Sequence, residues 1–71
     1  MVKVRDVIAA IEDVGWVHDH TTGDHRIFVR PGQRGTVVVP GHPGKDVPEG
    51  TLTTICRQAG IDKATLKRGG R

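Results

Sequence analysis

From Val4 onward the apolar residues Val4, Val7, Ile8, Ile11 and Val14 recur at i, i+3, i+4 and i+7, which is the spacing of one face of an amphipathic helix. The pattern predicts a first helix that runs to about Val14 and closes at Gly15 in the left-handed conformation, with Trp16 folded back onto its apolar face. The periodicity then changes. Trp16 to His20 alternates poorly, but it is short and ends in the turn-forming run Thr21-Thr22-Gly23-Asp24, so it reads as a first strand and a hairpin. His25 to Arg30 is rich in β-branched and aromatic residues and stops at Pro31-Gly32-Gln33-Arg34-Gly35. It reads as a second strand, and Thr36 to Val39, ended by Pro40, as a third.

The segment from Gly41 to Pro48 contains Gly41, Pro43, Gly44 and Pro48, a composition that suits a structured loop and not the interior of an element. A last helix is expected from near Pro48, with Leu52, Ile55, Cys56 and Ala59 at helical spacing and Gly60 at its end. Asp62 is placed to cap a further short turn through Ala64 to Leu66. Lys67-Arg68-Gly69-Gly70-Arg71 is too polar and glycine-rich to pack and reads as a frayed basic tail. The expectation is one domain over residues 1–66 with a tail at 67–71, in the order helix, three antiparallel strands, helix. Two helices on one sheet face bury both apolar stripes in two layers.

Composition narrows the function. With 71 residues, 35% of them hydrophobic, one Trp, one Phe and no Tyr, the core is small and aliphatic, and a partner that adds buried surface is unsurprising. Eleven Lys and Arg against eight Asp and Glu give a net charge of +3 and a pI near 9.6, which favours an anionic partner such as nucleic acid or an acidic protein surface. The single cysteine, Cys56, excludes an internal disulfide, and the start Lys3-Val4-Arg5-Asp6 is charged and not the apolar run of a signal peptide. The protein is therefore expected in the cytoplasm. No stretch is long and apolar enough to span a membrane.

Four histidines carry most of the candidate chemistry. His18 and His20 stand two apart on the expected first strand and so are expected to face the same side, as a metal pair would. Zinc, however, takes three or four converging ligands, and Cys56 shares an apolar helix stripe with Leu52, Ile55 and Ala59, so ordinary polar histidines and a small hydrophobic Cys are the favoured readings. His25 differs, because a turn containing Gly23 delivers it to the start of a strand, with Arg26 beside it and Lys45 further along. An RNA phosphodiester is cleaved without metal when a base takes the 2′-hydroxyl proton and cations stabilise the phosphorane, so one His with Arg or Lys is a minimal toolkit. Spacing alone leaves the plainer alternative open, that of a polar turn residue. Gly41-His42-Pro43-Gly44-Lys45 lacks the Walker spacing and terminal hydroxyl of a nucleotide loop, although Lys45 suits either a backbone phosphate or plain solvation.

Taken together, these residues resemble the HicA family of toxin ribonucleases, the mRNA interferases of HicA/HicB toxin–antitoxin systems. The resemblance rests on the helix ending in Gly15-Trp16, the turn Gly23-Asp24-His25-Arg26, and the strand Gly35 to Pro40. Its most specific part is His42-Pro43-Gly44-Lys45-Asp46-Val47-Pro48-Glu49-Gly50-Thr51-Leu52 leading into Gln58-Ala59-Gly60-Ile61. In that family the turn reads Gly-Ser-His followed by His or another polar residue, and its first histidine, here His25, is catalytic. In this chain Asp24 stands where Ser is usual, Arg26 where a second His is common, and Gly41 adds a residue before His42-Pro43.

The resemblance implies an α+β, double-stranded-RNA-binding-like α-β-β-β-α fold. It also implies an endoribonuclease that needs no metal or other cofactor, with His25 as general acid or base and Arg26 and Lys45 at the phosphate. Its implied partners are mRNA and a HicB-type antitoxin that covers His25 and the basic surface. The competing readings are a non-catalytic module that binds duplex RNA by shape, and a purely protein-binding adaptor.

Overall fold

A computed structural model describes residues 2–64 of the chain. Its elements are α1 (Val4–Asp13), β1 (Val17–Thr22), β2 (His25–Val29), β3 (Val37–Pro40) and α2 (Glu49–Ala59). The strands form an antiparallel sheet in the order β1-β2-β3. This is the expected α+β, double-stranded-RNA-binding-like order.

Both helices lie on one sheet face. Val4, Val7, Ala10 and Ile11 of α1 and Leu52, Ile55, Cys56 and Ala59 of α2 form a single core with Phe28, Val37 and Val39. Each of the Val, Ile, Leu and Phe side chains among them contributes about 1.5–3 kcal/mol on burial. Trp16 joins the two helices. At the end of α1, Gly15 takes φ 102°, its amide donates to Glu12 O and the Trp16 amide to Ile11 O, the Schellman pairing that turns the chain back. The buried indole then donates from Nε1 to Ala59 O at 3.3 Å, which satisfies a carbonyl at the open end of α2. Gly60 closes that helix at φ 73°.

Thr21 and Thr22 continue β1 instead of belonging to the turn, because their β-branched side chains suit the pleated sheet. The hairpin loop shrinks to Gly23-Asp24, with Gly23 at φ 57° in the first central position. Arg30 and Thr36 fall outside the strands, and Pro48 precedes α2 as its N-cap. Lys63 and Ala64 are helical as expected after Asp62. Leu66 and the expected tail 67–71 lie outside the described residues.

One expectation fails in β1. The register pairs His18 with Phe28 and His20 with Ile27, so Asp19 is an extra residue, a β-bulge. A single inserted residue reverses every side chain beyond it, so His18 and His20 lie on opposite faces. His18 stands edge-on to Phe28, with ring centroids 5.6 Å apart, and its Nε2 lies 2.8 Å from Thr21 Oγ1. His20 is carried onto the face that no helix covers.

Candidate active site

The uncovered face reads directly from the ladder. Thr22, His25 and Pro40 form one row across the sheet, and His20, Ile27 and Val38 form the next. His25 starts β2 immediately after the two-residue turn, and its imidazole is exposed. The strand alternates, so Arg26 faces the other way, toward Val39 and the helices.

The loop after β3 completes the site. Gly41 takes φ 96°, a left-handed value that favours glycine, and its amide donates to Asp24 O at 2.9 Å, extending the β2–β3 ladder by one bond. The Arg26 guanidinium donates through Nη1 to Gly41 O at 2.8 Å. The same loop caps α1: the amides of Val4 and Arg5 donate to Lys45 O and Pro43 O at 2.8 and 3.0 Å. Two first-turn donors of the helix thus find partners. Asp46 pairs with Lys3 at 2.8 Å, and the bonded Lys3 ammonium holds the Asp46 carboxyl below its ordinary pKa.

The result is an open cleft of about 250 Å³ lined by Asp24, His25, Pro40, Gly41, Lys45, Asp46 and Pro48. His25 and Lys45, which are twenty residues apart in the chain, share it. Pro48 is also the N-cap of α2, so the positive end of that helix lies at the rim. Among the described residues no carboxylate pairs with Lys45 within ion-pair distance, whereas Lys3 is matched to Asp46.

Arg26 is not brought to this cleft. It stands half-buried on the helix side, where it holds the carbonyl of the loop that carries Lys45. Gly41 and Asp46 are cleft residues to which the sequence assigned no role at the site. Gly41 had a visible signal, as the extra residue before His42-Pro43. The Lys3–Asp46 pair, formed between distant segments, had none.

Elsewhere, among the described residues, no group of three or more His, Cys, Asp or Glu side chains converges as a metal site would. Cys56 is buried in the core, and burial pushes its thiol pKa up, away from the reactive thiolate. No helix among the described residues is long and apolar enough to cross a membrane.

The arrangement has an exposed imidazole, a cation that no described carboxylate pairs with, and a helix N-terminus around one cleft, which suits an anionic substrate. No curated protein matches the chain. The family model described as HicA toxin of bacterial toxin–antitoxin systems matches residues 4–61, which includes every cleft residue. The chain therefore belongs to the HicA toxin family of bacterial toxin–antitoxin systems.

Proposed function

We propose that this HicA-family toxin is an endoribonuclease that cleaves mRNA at the His25 cleft. The observation that supports this reading most is that His25 and Lys45 line the same cleft. In the proposed reaction the imidazole of His25 takes the 2′-hydroxyl proton as the 2′-oxygen attacks phosphorus. The bond from phosphorus to the 5′-oxygen breaks, and that oxygen takes a proton from a second donor, a general acid or water, to become the 5′-hydroxyl. The products are a 2′,3′-cyclic phosphate and a 5′-hydroxyl end. Lys45 binds the nonbridging phosphate oxygens, where negative charge grows in the transition state. The nucleophile belongs to the substrate, so the step calls for no metal-bound water and no cofactor.

Asp24 lies in the same cleft. The backbone carbonyl of Asp24 accepts from Gly41, so the residue where Ser is usual in the family also helps seat the loop. Arg26 supports the reaction at one remove, through Gly41. A HicB-type antitoxin is the proposed protein partner. It would neutralise the toxin by covering His25 and the adjoining sheet face, where Val17 is 53% exposed and Ile27, Val29 and Val38 are half-buried.

The test uses labelled RNA in EDTA, together with the same RNA carrying one 2′-deoxy sugar at the cleaved position. Cleavage of the first with a cyclic-phosphate end, and none at the deoxy position of the second, is the expected result. Binding without cleavage of either would leave a non-catalytic RNA-binding module. Lys45→Ala is expected to reduce the salt slope of RNA binding by about 0.7, the value for one phosphate contact on a single strand. Co-expression with the neighbouring reading frame tests the antitoxin, since failure to bind or to rescue growth counts against the pair.

A further inference from the structure

Cleavage of this kind needs two proton transfers on opposite sides of phosphorus, because the entering and leaving oxygens stand roughly in line. One imidazole does not reach both oxygens at once. The uncovered sheet face holds a second. The bulge at Asp19 turns His20 onto the face of His25, opposite Ile27, while His25 lies opposite Thr22. The two histidines are therefore diagonal neighbours on adjacent strands, about 7–8 Å apart with their Cβ atoms somewhat closer, a spacing at which two side chains on one face reach a common phosphate. Both side chains are exposed. The bulged residue itself orients the ring: His20 Nδ1 lies 2.7 Å from Asp19 Oδ2. With Nδ1–H given to the carboxylate, Nε2 is the nitrogen left to exchange a proton with substrate. Without the bulge, His20 would project on the helix side with Phe28.

We propose that His20 is a second catalytic acid–base group of this toxin, donating a proton to the leaving 5′-oxygen while His25 removes the 2′-hydroxyl proton. The inference rests on the RNA-cleaving reading above. The carboxylate of Asp19 balances the charge of the imidazolium that donates, and Asp19 acts as a positioning residue. The two transfers balance: His25 gains one proton, His20 loses one, the bond between the 2′-oxygen and phosphorus forms, and the bond from phosphorus to the 5′-oxygen breaks. Solvent restores both rings after product release. Lys45 shares the cleft with His25, whereas His20 lies outside the cleft lining, one row along on the β1 side of His25, so the substrate strand would run from the loop after β3 past His25 toward β1.

The test compares ordinary RNA with RNA whose scissile 5′-oxygen is replaced by sulfur, a leaving group that departs as thiolate without a proton. His20→Gln is expected to slow cleavage of ordinary RNA by about 100-fold, the low end for general acid catalysis, and to cleave the sulfur substrate within about threefold of the parent. His25→Ala is expected to lose both activities. Asp19→Asn, which retains the bulge residue, is expected to show a smaller version of the His20→Gln pattern. Parental cleavage of ordinary RNA by His20→Gln overturns the proposal, as does an equal loss on both substrates, which marks a binding or structural role. If the parent cleaves neither substrate, the RNA-cleaving reading fails first and this assignment falls with it.

Discussion

Arg26 follows the proposed catalytic histidine in sequence, yet its guanidinium is bonded to Gly41 O at 2.8 Å on the helix side of the sheet. Arg26→Met keeps most of the aliphatic stem and removes that bond. Hydrogen bonds from charged groups contribute about 1.5–3 kcal/mol net. Arg26 and Gly41 are both only half-buried, so the low end applies, about 1.5 kcal/mol. In a domain of this size each kcal/mol moves the melting temperature by about 4–8 °C, so the variant should melt roughly 6–12 °C lower. Circular dichroism melting, paired with RNA binding across a salt series, separates this role from a phosphate contact. The expected result is a lower melting temperature with an unchanged salt slope. A melting temperature within 2 °C of the parent, joined to a salt slope smaller by about 0.7, would refute the reasoning and return Arg26 to the substrate.

Gly41→Ala places a Cβ in ordinary contact, 3.5 Å from the Lys45 stem and from Val4, but at φ 96°; the left-handed backbone alone is expected to cost about 1–2 kcal/mol in urea unfolding, and an unchanged unfolding midpoint would count against it. Asp46→Asn tests the Lys3 pair through pH. The lowered carboxyl pKa means the stabilisation is complete above the unfolded value of about 3.9 and is lost as pH falls through the folded value. The gap in melting temperature between parent and variant should therefore hold from pH 5 to neutrality and close in stronger acid, and a gap unchanged at pH 2.5 would count against it. Cys56, buried and with its thiol pKa raised, should react with a thiol reagent at pH 8 only as fast as the domain opens, and at full speed in denaturant. Rapid labelling of the folded protein would contradict the packing of α2.

The helices were legible because each leaves a one-sided apolar imprint, Val4, Val7 and Ile11 in one and Leu52, Ile55 and Ala59 in the other, and all of these are buried. Gly15 and Gly60 marked the helix ends for the same local reason, a positive φ. β1 was the weakest reading, and its structure explains why. All six of its residues are exposed, so no core selects an alternation, and pairing with β2 alone defines it. The bulge at Asp19 is a property of two strands in register and leaves no mark in either one. Arg26 is different, because strand periodicity already places neighbours on opposite faces. Strand alternation in the sequence alone separates Arg26 from His25, whereas their adjacency suggests a shared site. His25 itself stood out through the family motif; spacing showed only a histidine at a hairpin. The shared cleft with Lys45 depends on the loop between β3 and α2, whose path follows from Gly41 and from backbone bonds to α1.

The most direct measurement is the single-turnover rate of RNA cleavage in EDTA by the parent and by His25→Ala, with folding of both checked by circular dichroism. The expected result is cleavage by the parent and a loss of at least about 100-fold in the variant, accompanied by loss of growth arrest when each is induced in cells. A folded His25→Ala protein that cleaves as fast as the parent would contradict a site built around His25.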